Sequence, residues 1–175
     1  MFANPLFKAS KRFQSSVAYQ QVMAKIKQDL KRSMLDKDTV KKNGIKMIMS
    51  RVKDTEIDGA SQNEFVLFQT LSKMNKQRKR AVEEYEGQNR EDLAAVEKLE
   101  IEIINGYLKD LPVASSEELE ASLKDYLTKI KATEGNVPMG KLFKLILSEL
   151  AQKWRSSPEL VKPLVPKIYK QVFTK

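Results

Sequence analysis

The sequence predicts an all-α protein, with an N-terminal four-helix region followed by a smaller three-helix C-terminal module. Three observations carry that expectation. Apolar residues recur at three- and four-residue spacing along most of the chain, the period of a helix with one buried face. Helix-starting and helix-ending signals punctuate this pattern. Six glycines and six prolines in 175 residues are too few for the many turns of a β fold.

Taken in order, Val22, Ile26 and Leu30, flanked by Met23 and Met34, predict a first helix over 18–36. Asp38 can cap the second, whose apolar stripe is Ile45, Ile48, Met49 and Val52 and which ends at Gly59. Ser61 and Glu64 have the spacing of a capping box for the third, which runs to Gly87. Asn89 can cap the fourth, with Glu91 and Asp92 in its first turn, where the helix dipole favours acids. Only Gln88 separates Gly87 from Asn89, so helices three and four should form a tight antiparallel hairpin.

The chain breaks around Pro112. Ser115 and Glu118 make a second capping box, and Leu119, Leu123, Tyr126, Leu127 and Ile130 form the stripe of a fifth helix. Met139, Leu142, Phe143, Ile146, Leu147, Leu150 and Trp154 define a sixth. Ser157–Pro158 opens the last element, which Pro163 and Pro166 should break or kink before Ile168–Phe173. The expected organisation is a leader over 1–16, a helical domain over 17–110 and a helical module over 115–175.

Cysteine and histidine are both absent. Disulfides, thiol and imidazole chemistry and most zinc or haem sites go with them. No EF-hand or phosphate-binding loop spacing occurs, so no metal or cofactor is expected. No apolar run is long enough for a membrane span. The net charge of +9 is unevenly spread. Residues 1–82 carry 18 Lys/Arg against 7 Asp/Glu, residues 83–134 carry 6 against 14, and residues 135–175 carry 8 against 2. Two basic ends flank an acidic middle, a polarity that suits a polyanionic partner or helix pairing within the fold.

The first 27 residues hold Lys8, Lys11, Arg12, Lys25 and Lys27, and no acid precedes Asp29. Serines, small residues and aromatics among these charges have the composition of a mitochondrial transit peptide, cut near Arg12–Ser16. The expected location is the mitochondrial matrix.

The stretch KMNKQRKR, 73–80, concentrates five positive charges. Lys73, Lys76, Lys79 and Arg80 point away from the apolar stripe and form a candidate nucleic-acid-binding set, extended by Lys41, Lys42 and Lys46 on the second helix. Such contacts give salt-dependent affinity and little sequence choice. A solvated helix face explains the same residues without RNA. Arg78 differs, because it falls inside the stripe of Leu67, Leu71, Met74, Val82 and Tyr85. Glu100 holds the same position among Leu93, Val96, Ile103, Ile104 and Tyr107 on the fourth helix. Arg78 lies nine residues before Gly87 and Glu100 eleven after Asn89, a mismatch of about 3 Å along the hairpin axis. A charge on a buried face must be paired, so Arg78 and Glu100 are expected to form a structural ion pair that fixes register.

Several segments in this order resemble the GatB/YqeY family: DLKRSMLDKD (29–38), IKMIMSRVKDTEID (45–58), KQRK followed by an acidic helix, LEIEIINGYL, and MGK before an apolar helix. The resemblance spans roughly 20–155. The family includes small free-standing proteins and the tail domain of the B subunit of glutamine-dependent aminoacyl-tRNA amidotransferases. It implies a helical bundle with a smaller helical module, and a link to tRNA or to amidotransferase subunits. It also implies a family label of carbon–nitrogen ligase with glutamine as amido donor. In the amidotransferase the catalytic residues lie in other domains and subunits. Two departures stand out. The family has Arg where this chain has Lys46, and the family's glycine-containing turn between the last helices appears here as WRSSPELVKPLVP, without glycine.

The chain offers no Gly-x-Ser-x-Gly, no Walker motif and no convincing Ser–Lys arrangement, so no catalytic residue is assigned. No sequence-specific RNA or DNA motif is present. The sequence therefore points to a tRNA-associated or amidotransferase-associated accessory factor. The alternative is a non-enzymatic protein-binding adaptor whose acidic middle docks a basic partner.

Overall fold

The structure, a computed structural model, describes residues 15–173. The leader expected over 1–16 lies, but for its last two residues, outside the described residues. The chain divides into two compact units, Met1–Leu111 and Pro112–Lys175. The described residues form helices and no strand.

The first unit holds α1 (Val17–Leu35), α2 (Thr39–Ile57), α3 (Glu64–Gly87) and α4 (Glu91–Asp110). Its core is built by Val22 and Ile26 of α1, Ile45, Ile48 and Val52 of α2, Leu67, Leu71 and Met74 of α3, and Ile104 and Tyr107 of α4. Each such apolar side chain contributes about 1.5–3 kcal/mol on burial. The α1 stripe ends on Ser33, whose hydroxyl donates to the Leu30 carbonyl, while Met34 stays exposed.

Helix boundaries follow local chemistry, with two corrections. Asp38 caps α2 by accepting the Lys41 N–H at 2.9 Å. Gly59 ends it at φ 84°, a conformation glycine adopts without a Cβ penalty. Ser61 does not cap α3. The cap is Asn63, whose Oδ1 accepts the Val66 N–H at 2.9 Å, and Glu64 becomes the first helical residue rather than the third. Asn89 does not cap α4 either. It takes the left-handed turn at φ 55°, which Asn tolerates, and lets Arg90 N–H reach the Tyr85 carbonyl. Arg90 opens α4 without a side-chain cap and grips Asp92 through two 3.0 Å bonds. The loop between α3 and α4 is short and their packing antiparallel.

The second unit comprises α5 (Ser116–Glu134), α6 (Met139–Leu145), a π-helical turn (Ile146–Leu150), α7 (Ala151–Lys153), α8 (Pro158–Val161) and α9 (Leu164–Phe173). This is more subdivided than three helices. Ala151 N–H reaches back five residues to the Ile146 carbonyl, so the apolar run from Met139 is interrupted by the π turn. The capping box of Ser115 and Glu118 forms in both directions. Pro158 sits in the first turn of α8 and Pro166 in that of α9, where a missing N–H costs nothing. Leu119, Leu123, Leu127, Leu142, Ile146, Val161, Val165 and Ile168 form the core of this unit. Tyr126 meets Trp154 edge to face, and Tyr169 stacks on Phe173.

Candidate functional site

α3 carries both kinds of charge that the sequence singles out. Arg78 is buried, at 8% exposure, and so is Glu100, at 7%. Arg78 Nη1 donates to Glu97 Oε2 at 2.8 Å and also contacts Glu100 Oε2 as an ion pair. Both carboxylates thus meet the same guanidinium nitrogen. Arg78 Nη2 points at Met47 Sδ, 3.6 Å away on α2. The guanidinium therefore ties α3 to two carboxylates of α4 and one thioether of α2. Burial in a medium poorer than water strengthens these contacts and penalises each charge left alone.

Glu97 and Met47 are contacts beyond the pair that the sequence predicts. The buried side of α4 is formed by Ala94, Glu100, Ile104 and Tyr107, and Val96 is 40% exposed. The face is thus rotated away from Val96 and toward Glu97, which brings a second acid to Arg78. The spacing Glu97–Glu100, three residues on one helix side, was the available signal. Gly44 supplies the room. A Cβ there would lie 3.4 Å from Glu100 Cγ and 3.5 Å from Ile103 Cδ1, so the α2 backbone passes directly over the acid.

Two further polar contacts brace the bundle. Tyr107 Oη donates to Asp29 at 2.9 Å, and Tyr19 Oη donates to Glu56. Burial, with the adjoining carboxylates, pushes both phenols well above the ordinary tyrosine range. Lys25 pairs with Asp110 at 2.6 Å, a bond that raises the lysine.

Lys73, Lys76, Lys79 and Arg80 are exposed on α3, and among the described residues none of them is in an ion pair. Lys73, Lys76 and Arg80 share the side of α3 opposite Arg78, with Lys79 at its edge. The α2 lysines do not join them on one face. Lys41 lines a cleft of about 400 Å³ with Asp29, Ile103 and Tyr107, between α1, α2 and α4. Lys42 and Lys46 lie on the side of α2 away from Met47 and Arg51, the residues that face α3. The residue the structure adds beside Lys73 is Arg51, an exposed arginine with no distinguishing sequence pattern.

Among the described residues no group of three Asp or Glu could hold a metal ion. No helix among them is long and apolar enough to cross a membrane.

These features define a small all-α protein of two compact units, the first clasped by a buried arginine–dicarboxylate network and carrying unpaired cations on its α3 face. The chain belongs to the YqeY-like family, whose model, described as Yqey-like protein, matches residues 23–165. Its relatives include the Altered inheritance of mitochondria protein 41, mitochondrial, of Meyerozyma guilliermondii, 47% identical across 93% of this chain and 86% of that protein. The protein of the same name from Clavispora lusitaniae is 42% identical across 97% of this chain and 100% of its own length. That of Saccharomyces cerevisiae strain YJM789 is 34% identical across 93% and 90%.

Proposed function

We propose that the protein is an accessory factor of the mitochondrial matrix that associates with tRNA, alone or beside amidotransferase subunits. It holds the nucleic acid by its phosphates and carries out no chemistry of its own. The observation that carries this reading is the set Lys73, Lys76, Lys79 and Arg80, exposed on one helix and without ion-pair partners among the described residues. A cation already paired to a carboxylate would lose that pair on meeting a phosphate, and these four have nothing to lose. Lys41, Lys42 and Lys46 form a second contact on other faces of α2. The relatives named as mitochondrial, and the basic, acid-free start of the chain, support the location.

Retention of tRNA at a series of salt concentrations tests the reading. Four phosphate contacts predict a log–log slope of about −3, and reversing the four residues to Glu should abolish retention while the fold survives. Wild-type protein that retains no tRNA at low salt overturns it, and leaves the acidic 83–134 region as a docking surface for a basic protein.

A further inference from the structure

The clasp around Arg78 has one weak contact. Nη1 meets the carboxylates of Glu97 and Glu100, whereas Nη2 donates to Met47 Sδ at 3.6 Å. A thioether is a weak acceptor, so a strong cationic donor ends on one of the poorest partners a side chain offers. The guanidinium is buried, yet Met47 is 53% exposed. Both residues line an open depression of about 470 Å³ between α2 and α3, which gives small solutes a way to the thioether. Met34 and Met139 are open to a similar degree, at 56% and 40%, but among the described residues neither sulfur accepts a hydrogen bond. Met74, which lines the same depression, is buried.

We propose that Met47 is a reversible oxidation site, at which hydrogen peroxide makes a sulfoxide whose oxygen takes the Arg78 Nη2 hydrogen bond and locks α2 to α3. The proposal is independent of the RNA-binding reading. In the reaction a lone pair of Sδ attacks one oxygen of the peroxide. The sulfur–oxygen bond forms as the oxygen–oxygen bond breaks, and sulfur gives up two electrons. The departing hydroxide takes the proton left on the transferred oxygen and becomes water. One lone pair of the sulfur faces Nη2, so the attack uses the other. Rotation about the Cγ–Sδ bond then turns the new oxygen onto the guanidinium. Standing one bond nearer than a sulfur at 3.6 Å, that oxygen comes within about 2.7–2.9 Å, the range of a charge-assisted hydrogen bond, with the backbone in place.

The sign of the effect separates this residue from an ordinary methionine. A sulfoxide in a core loosens the fold, because a polar group replaces a packed apolar one. At Met47 the new oxygen forms on a half-open side chain, so little water is stripped from it. It also gains a donor that two carboxylates already hold in position. A hydrogen bond to a charged group outweighs the N–H···S contact that it replaces. Oxidation at Met47 therefore tightens the first unit, whereas oxidation at Met74 would loosen it. The same exposure leaves the sulfoxide open to the reductases that return it to a thioether.

The test is a titration of the full chain with hydrogen peroxide, at doses that leave Met74 unoxidised. Peptide mass spectrometry scores each methionine, and chemical denaturation reads stability. Met47, Met34 and Met139 should each gain one oxygen before Met74 does. Treatment should raise the folding equilibrium constant of the wild type about fivefold to tenfold relative to the change it causes in Met47→Leu, which keeps every other methionine. That gain should vanish in Arg78→Lys, whose ammonium cannot serve Glu97 and residue 47 together. Met47→Gln, whose side-chain carbonyl can accept from the same Nη2, should be more stable than Met47→Leu without any peroxide. If Met47 stays unoxidised while Met34 and Met139 react, the site does not exist. If treated wild type gains nothing over treated Met47→Leu, the lock is overturned, and a gain that survives in Arg78→Lys overturns the assignment to Arg78. Equal stability of Met47→Gln and Met47→Leu also counts against it, since an oxygen acceptor at this position then earns no bond.

Discussion

Replacing Arg78 with Met should be among the most damaging single changes in the first unit. The side chains of Arg78 and Glu100 are each 10% exposed and that of Glu97 is 21% exposed. Removing the guanidinium strands two carboxylates, one of them almost dry. Breaking a buried pair in this way costs about 3–5 kcal/mol. For a unit of this size that lowers Tm by about 12 °C or more. Glu97→Gln should cost less, about 1 kcal/mol, because the arginine keeps Glu100 and an amide can still accept its hydrogen bond. Arg78→Met with Glu100→Leu should recover part of the loss, and adding Glu97→Gln should recover most of it, since apolar and neutral groups can replace a buried ionic cluster. Chemical denaturation of the wild type, the singles, the double and the triple decides the matter. Strictly additive losses, or a single Arg78→Met cost below 1 kcal/mol, would refute the clasp.

Gly44→Ala should be neutral or stabilise by up to about 1 kcal/mol, because its Cβ would sit in ordinary contact with Glu100 Cγ and helix propensity improves; Gly44→Leu should destabilise by about 1–3 kcal/mol by driving into that acid. Asn63→Ala should cost about 1 kcal/mol in thermal unfolding while Ser61→Ala costs little, because the α3 cap is Asn63. The raised phenols of Tyr19 and Tyr107 ionise in the unfolded chain before the folded one, so their contribution is complete below about pH 10 and is lost as pH rises toward their folded values; the Phe variants at both positions should flatten the alkaline limb of a stability–pH profile.

The helices were legible because their stripes are regular: Ile45, Ile48 and Val52, or Leu119, Leu123 and Leu127, are buried where the period places them. The all-α class follows from that. Caps were harder, since Ser61 and Asn63 both have suitable side chains and the choice depends on where Ser16 N–H bonds Gln62 across the bundle. Asn89 shows the same ambiguity, because a residue that favours caps also tolerates the left-handed turn. The π turn at Ile146–Leu150 was not legible, because the apolar run through it is compatible with an ordinary helix. At the site, Arg78 and Glu100 stood out as charges within apolar stripes. Glu97 did not, because its burial depends on a rotation of α4 that only packing against α2 and α3 fixes. Arg51 had no signal of its own, since an exposed arginine on a helix is ordinary until its neighbours are known.

The contacts of Arg78 complicate any experiment that reads RNA binding from arginine variants. Its guanidinium holds Glu97 of α4 and points at Met47 of α2, so its loss would disturb the packing of α3 even if it never meets a phosphate. Weaker RNA binding by Arg78→Met is therefore no sign of a direct contact. Arg78→Lys separates the roles. A lysine keeps one positive charge for Glu97 and Glu100 but lacks the fork that reaches Glu97 and Met47 together. If Arg78 is purely a clasp, Arg78→Lys should lose stability yet keep the salt slope of RNA binding set by Lys73, Lys76, Lys79 and Arg80. A slope that falls by about one contact in this variant would place the guanidinium on the nucleic acid instead.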